Sequence, residues 1–148
     1  MRRVLIPVDH SERTARAVRY FIKDAAQHEP VEVHLLNVQE PVTAWEVRRF
    51  LLPREIEAFQ RARGEAALDA AAQLLAQAGI PFRAHLEQGL VGETIARVAE
   101  REHCDSIFMG ATESRLGWGL LSPHAVIRKV LRKASVPVTL FRTVTGDG

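Results

Sequence analysis

The chain has 148 residues, of which 47% are hydrophobic and 26% are charged, which predicts a single globular domain and excludes a disordered chain. Lys and Arg number 20 against 18 Asp and Glu, and this small excess indicates neither a nucleic-acid nor a membrane partner. The most basic stretch, residues 128–133, falls in the last turns of a predicted helix, where cations complement the helix dipole.

The single cysteine, Cys104, has no second thiol with which to form an internal disulfide. We interpret it as a small apolar residue of the core in a reducing compartment. The apolar run after Met1 is interrupted by Pro7 and Asp9, which leaves it too short for a signal peptide or a membrane span. A cytoplasmic location is therefore expected.

The first half of the chain alternates between strand and helix patterns. A nearly continuous apolar run predicts a first strand buried on both faces, as in parallel sheets. Ser11 is a favourable N-cap for the helix that follows, and Gly79 is a favourable residue just beyond the end of the long second helix. The predicted elements are strand 3–8, helix 11–28, strand 31–38 and helix 54–78.

The second half continues the alternation. Residues 81–87 alternate with period two, which predicts an outer strand, and Ser122-Pro123 form a favourable helix start. The predicted elements are strand 81–87, a helix from 91 that ends before 103, strand 106–109, a helix from 122 and strand 136–141. The order βαβαβαβαβ predicts an α/β domain over residues 1–142 with a parallel sheet and helices on both faces, followed by a polar tail, 143–148.

A ligand site in such a sheet lies beyond the carboxyl ends of the strands, where the winding direction reverses. If strands 1 and 4 are neighbours, the residues that border this crevice are Asp9-His10-Ser11 and Met109-Gly110-Ala111. An acidic side chain and a glycine would then face one pocket.

Four short motifs in this order resemble the universal stress protein family over nearly the whole chain. They are Val4-Leu5-Ile6-Pro7-Val8-Asp9, Leu35-Leu36-Asn37-Val38, Met109-Gly110, and Val130-Leu131 followed by Val136-Pro137-Val138. The resemblance implies a Rossmann-like fold of the adenine nucleotide alpha hydrolase type, with a five-stranded parallel sheet of order 3-2-1-4-5. It also implies that the protein forms dimers.

Nucleotide-binding members of the family carry a glycine, two residues, a second glycine, nine residues and then Gly-Ser or Gly-Thr. Gly110 matches the first glycine, whereas Glu113, His124 and Ala125 stand at the other positions, and the spacing is one residue longer. Such glycines let backbone N–H groups approach phosphates closely. Glu113 adds negative charge and Pro123 removes a donor, so these changes predict weak ATP binding or none.

By the same resemblance, the Asp9 carboxylate contacts the sugar of a bound nucleotide, and Pro7, Val8 and Val38 lie around the base. The alternative is that Asp9 is a polar strand-end residue that hydrogen-bonds the neighbouring backbone. The full candidate crevice for ATP or another adenine nucleotide is Pro7, Val8, Asp9, Val38, Met109, Gly110 and Val126.

Other chemistries have weaker support in the sequence. The six histidines, His10, His28, His34, His85, His103 and His124, are dispersed without paired ligand spacing, so no metal site is predicted. Asp9, His10 and Ser11 are adjacent along the chain, which is unsuited to a catalytic triad, and no catalytic residue is predicted. Arg115 and His124 are either holders of a small anion or ordinary surface residues, and Trp45 and Trp118 either contact a partner or cover the loops.

The last predicted strand, 136–141, is an edge strand in the order 3-2-1-4-5, and an apolar edge calls for a cover or a partner. We therefore expect a homodimer through this strand. The leading hypothesis is a non-enzymatic stress-response or regulatory protein with weak or no ATP binding. The alternatives are an adenine-nucleotide-binding module with slow ATPase activity, and an interaction protein whose loop 111–122 contacts an unidentified protein.

Overall fold

Strands and helices alternate along the chain. The computed structural model describes residues 1–41, 49–111 and 123–142, and none of the helices in those ranges is both long and apolar enough to cross a membrane. The strands are Arg2–Pro7 (β1), Val31–Gln39 (β2), Phe82–Gln88 (β3), Ser106–Ala111 (β4) and Val138–Arg142 (β5). The helices are Glu12–Lys23 (α1), Pro53–Gln77 (α2), Val91–Arg101 (α3) and Pro123–Lys133 (α4), with a 3₁₀ turn at Ala25–Gln27.

The five strands form one parallel sheet in the order β3-β2-β1-β4-β5. This confirms both the fold class and the strand order that the family resemblance implied. The central strand β1 pairs with β2 from Arg2–Val31 to Pro7–Leu36, and its pairing with β4 covers Val4–Ser106 and Leu5–Ile107. The winding direction reverses between β1 and β4, so the switch point lies where it was predicted.

Alternate residues of β1 supply two separate cores, which explains why its sequence is continuously apolar. Val4 and Ile6 pack in a cluster with residues of α1 and α2, including the fully buried Phe21. Leu5 packs in a second cluster with residues of α3 and α4. The helices therefore cover both faces of the sheet, and its central strands have no side open to water.

The ends of the elements follow local chemistry. Gly79 adopts a positive φ of 73°, and the N–H of Ile80 donates to the carbonyl of Leu75, which completes a Schellman motif after α2. Helix α1 ends at Lys23, earlier than predicted, because the chain tightens into the 3₁₀ turn. Strand β5 begins two residues later than predicted, because Pro137 has no N–H to donate to the ladder.

Helices α3 and α4 approach each other closely at Gly92. A Cβ atom at this position would lie 2.7 Å from both Cβ and Cγ of Lys129, and 3.4 Å from the carbonyl oxygen of Val126. The first contact is far shorter than van der Waals distance, and Cβ of Lys129 cannot move without its backbone. The glycine therefore sets the distance between the two helices.

We predict that Gly92→Ala destabilises the protein by about 1–3 kcal/mol, because the cost of overpacking exceeds the gain in helix propensity. Urea denaturation followed by circular dichroism measures the change. Gly110→Ala is the matched control, since a Cβ there would lie at an ordinary 3.6 Å from Cβ of Ala17. Equal stability of the two variants would contradict this account of the helix contact.

Candidate functional site

The carboxyl end of β1 is fixed by β2. The N–H of Val8 donates to the carbonyl oxygen of Leu36 at 2.8 Å, and Nδ2 of Asn37 donates to the carbonyl oxygen of Val8 at 2.9 Å. Val8 and Asn37 are both buried, so these bonds are shielded from water. These bonds to Val8 also fix the position of Asp9, the residue that follows it, at the switch point.

Asp9 accepts hydrogen bonds from the beginning of α1. Its Oδ1 atom accepts from the N–H of Ser11 at 2.8 Å, from the Ser11 hydroxyl, and from the Thr14 hydroxyl at 2.8 Å. Ser11 occupies the predicted N-cap position, but its side chain makes no cap hydrogen bond, and its hydroxyl instead donates to the Asp9 carboxylate. The alternative interpretation of Asp9 as a strand-end residue that binds the local chain thus has direct geometric support.

The other predicted site residues are divided between the two faces of the sheet. Met109 and Val126 are both fully buried in the cluster beneath α3 and α4, and Val38 packs against the same cluster. Val8 belongs to the opposite cluster. The structure therefore brings Val38, Met109 and Val126 together on one face of the sheet. Val8 lies on the opposite face.

Gly110 and Pro7 lie at the carboxyl ends of β4 and β1. Pro7 is buried and pairs with Leu36. Gly110 faces α1, and a Cβ atom added to it would meet Cβ of Ala17 first, at 3.6 Å. Packing against the described residues does not require a glycine at position 110.

A groove of about 250 Å³ opens beside Asp9 between α1 and α2. His10, Ser11 and Thr14 line one side, and small residues of α2, such as Ala67 and Ala71, line the other. Asp9 borders the groove, but the other six residues of the predicted crevice do not. This groove is therefore distinct from the predicted crevice between β1 and β4.

Several predicted features fall outside the described residues. Trp45, Glu113, Arg115, Trp118 and Ser122 belong to this group. The backbones of Pro123 and His124 begin α4, and nothing is described of their side chains. The hypotheses of a small-anion site and of a partner-binding loop therefore remain predictions.

The sequence did not indicate a cluster formed by His34, His85 and Glu102. Nδ1 of His34 lies 2.9 Å from Nε2 of His85, and the two rings stack with centroids 5.2 Å apart. The two histidines are 51 positions apart and come together because β2 and β3 are neighbours with Leu36 opposite His85. A sequence-based prediction of the cluster would have needed the β2–β3 register, because only the register shows that the two histidines lie on one face of adjacent strands.

Burial and ion pairing shift the protonation of this cluster. Burial lowers the pKa of His85, which favours its neutral imidazole. A hydrogen bond from Arg101 lowers the pKa of Glu102, and a hydrogen bond with His34 lowers that of Glu32. Both carboxylates are thus held in their ionised form.

The geometry is that of a doubly wound α/β domain with its candidate ligand site at the switch point. The model for the universal stress protein family matches residues 1–142. The chain therefore belongs to the universal stress protein family, which confirms the resemblance drawn from its motifs.

Solved structures show the same fold. Hypothetical protein MJ0577 is 23% identical with a TM-score of 0.79, and the alignment covers 98% of each chain. A universal stress protein family protein from Arabidopsis thaliana with AMP bound is 18% identical, with a TM-score of 0.70 and coverage of 99% of this chain and 95% of that one. The universal stress protein from Archaeoglobus fulgidus in complex with dAMP is 22% identical, with a TM-score of 0.64 and coverage of 95% and 97%. No curated protein matches the chain.

Cys104 lies in the core beneath α3 and α4 and is only 5% exposed. Burial raises the pKa of its thiol to about 11. The thiol therefore remains protonated at neutral pH, as expected for an unreactive core residue.

We predict that Cys104 in the folded protein reacts with a chromogenic disulfide at pH 8 at least about a hundredfold more slowly than in 6 M guanidinium, because the thiolate is the nucleophile. Absorbance of the released thiolate measures both rates. Rapid labelling of folded protein, with circular dichroism unchanged, would show that this thiol is accessible and ionised.

Proposed function

We propose that this chain is a non-enzymatic regulatory protein of the universal stress type that binds ATP weakly or not at all. The observation that carries the proposal is the saturation of Asp9 Oδ1 by three donors from Ser11 and Thr14. A carboxylate oxygen offers about two lone pairs, so these donors fill Oδ1 and leave a ribose hydroxyl only Oδ2 as an acceptor unless it displaces one of them. The sugar contact that the family resemblance implies is therefore restricted to one carboxylate oxygen, since the other is engaged at the start of α1.

The phosphate side supports the same proposal. Glu113, His124 and Ala125 occupy positions at which nucleotide-binding members carry Gly, Gly and Ser or Thr. A carboxylate repels a triphosphate, and side chains restrict the approach of backbone N–H groups. Each additional phosphate requires more of these backbone N–H donors, so the loss of binding affinity is largest for ATP.

The second candidate is an adenine-nucleotide-binding module with slow ATPase activity. It is favoured by Gly110, which packing against the described residues does not require, and by the nucleotides bound to two of the similar proteins. Those nucleotides are AMP and dAMP, and a monophosphate needs fewer phosphate donors than ATP. Adenine nucleotide that co-purifies with the protein would favour this candidate.

We predict that restoring the phosphate loop creates ATP binding. The restored variant carries Glu113→Gly, His124→Gly and Ala125→Ser, with Leu121 deleted to regain the nine-residue spacing. Charge-assisted hydrogen bonds contribute about 1.5–3 kcal/mol each, so one regained bond should tighten the ATP Kd at least about tenfold. Isothermal titration calorimetry measures Kd for both proteins.

Glu113→Gln alone is the control for charge, and it should give a smaller gain than the restored loop. Unmodified protein that binds ATP as tightly as the restored variant would count against the proposal. The same holds if the restored variant folds but gains no affinity.

We also propose that the protein is a cytoplasmic homodimer that pairs through β5. Ile107 donates to the carbonyl of Pro137, so the alternation along the strand turns the N–H and C=O of Leu140 towards the outer edge of the sheet. The side chain of Leu140 is exposed, and Tyr20, also exposed, stacks on Phe141 at 4.7 Å. Val136 and Val138 instead pack against the core, so the apolar surface at this edge is narrower than the sequence suggested.

The opposite edge of the sheet is protected by charge. Strand β3 carries Arg83 and Glu87, whereas residues 138–141 of β5 carry no charge. Charged side chains on an edge strand discourage pairing with another chain. This difference supports dimerisation through β5 and not through β3.

We predict that Leu140→Lys converts the dimer to a monomer, because it places a charge at the pairing edge. Leu90→Lys changes another exposed leucine, beyond β3, and is the matched control that should stay dimeric. Light scattering at micromolar concentration measures both masses. A monomeric wild-type protein, or dimers of both variants, would rule out this interface.

A further inference from the structure

The paired histidines lie at mid-strand, with His34 opposite Leu5 and His85 opposite Leu36. Glu102 is the C-cap of α3, and three residues later the N–H of Asp105 donates to the carbonyl oxygen of Arg3 at the start of β1. His34 projects from β2 towards α3, and its side chain is only 3% exposed. The cluster therefore forms a site that the nucleotide hypothesis does not use.

Hydrogen bonding fixes which nitrogen of His34 is available. Nε2 lies 2.8 Å from Oε1 of Glu32, and an ionised carboxylate can only accept a hydrogen bond. Nε2 must therefore carry the proton, and in the neutral ring Nδ1 carries the lone pair. A carboxylate on the far nitrogen is also the usual partner of a metal-binding histidine, because it fixes the ring and makes it more basic.

Glu102 supplies a carboxylate oxygen near the two histidine rings. Its Oε2 atom accepts a hydrogen bond from Nε of Arg101 at 2.8 Å, and its Oε1 atom lies 4.0 Å from Nε2 of His85. Arg101 also contacts Glu87 at 3.1 Å, which anchors the guanidinium between two carboxylates. One oxygen of Glu102 is thereby oriented and the other is directed at the histidines.

We propose that His34, His85 and Glu102 bind a divalent transition-metal ion of the zinc class. One ligand atom from each residue lies within 4.8 Å of the others. In a tetrahedral zinc site with bonds of 2.0–2.2 Å, ligand atoms are roughly 3.3 Å apart. The 2.9 Å and 4.0 Å separations lie on either side of that value, so small side-chain rotations suffice.

The ligand set and its surroundings define the ion. Two imidazoles and one carboxylate favour zinc and its neighbours in the first transition row over calcium or magnesium, which prefer oxygen ligands. Three protein ligands leave a fourth position for water, and His85 and Glu102, at 15% and 24% exposure, provide the route from solvent. When the ion binds, the proton on Nε2 of His85 moves to Nδ1, so the neutral ring ligates without net loss of a proton.

Binding would connect three elements that are distant in sequence. The ion would tie β2, the edge strand β3 and the end of α3 to one another, which stabilises the folded state over the unfolded chain. The alternative is a metal-free hydrogen-bonded chain, in which Nε2–H of His85 donates to Nδ1 of His34. In the metal-bound arrangement the ion replaces that hydrogen bond, whereas in the metal-free arrangement added metal leaves it intact.

The test uses the full chain, stripped with a chelator and titrated with Co²⁺ and Zn²⁺. We expect one Co²⁺ per chain, visible absorption bands of a tetrahedral site, their loss on addition of Zn²⁺, and a higher thermal midpoint with Zn²⁺. Competition with a chromophoric chelator gives the zinc Kd. His85→Gln and Glu102→Gln should each weaken zinc at least about tenfold.

His28→Gln is the matched control, because His28 is exposed, lies before β2 and does not belong to the ligand set. It should leave the zinc Kd and the cobalt spectrum unchanged. Circular dichroism checks that each variant is folded. If His85→Gln unfolds, the zinc Kd of Glu102→Gln, a substitution at a partly exposed residue, tests the proposed metal site. Absence of stoichiometric Co²⁺ binding, or zinc Kd values in Glu102→Gln and folded His85→Gln equal to that of the wild type, would overturn the proposal.

Discussion

A single buried amide, Asn37, holds the carboxyl end of the central strand. Its Nδ2 donates to the carbonyl of Val8, and its Oδ1 accepts from Gln39 at 2.6 Å, so the side chain is satisfied on both sides. A buried amide without partners would be costly, so this arrangement admits few alternatives. The direction in which the chain leaves β1, and hence the position of Asp9, depends on it.

The two ends of the sheet differ in the polar groups that they carry and in the contacts of those groups. At the carboxyl end, Oδ1 of Asp9 accepts hydrogen bonds from Ser11 and Thr14. At the amino end, Glu32 and Arg101 orient groups that face one another across β2, β3 and α3. The family scaffold is thus retained, while the polar groups at its usual ligand edge are engaged in local structure.

Much of the fold could be predicted because the pattern of β1 has one physical explanation. A run that is apolar at every position needs cover on both faces, and alternate residues Val4 and Leu5 do enter different cores. Gly79 was identifiable because a left-handed residue after a helix favours glycine. The strand order came from the family resemblance, because periodicity alone does not specify which strands are neighbours.

The candidate site was less predictable, because it depends on contacts between distant elements. The sequence placed Asp9 at a strand end but could not show that Ser11 and Thr14 would occupy Oδ1. It treated His34 and His85 as dispersed, since their approach follows from the β2–β3 register. It also grouped Val8 with Met109, although the pleat sends their side chains to opposite faces.

The most direct test of the central claim is calorimetric titration of nucleotide-stripped wild-type protein with ATP, with Asp9→Ala titrated in parallel. Our account predicts no saturable heat at micromolar ATP for either protein, because Oδ1 of Asp9 is engaged at the start of α1 and the phosphate loop lacks two of its three glycines. A micromolar Kd in the wild type that is lost in Asp9→Ala would contradict it, and would make the protein a nucleotide-binding member of its family.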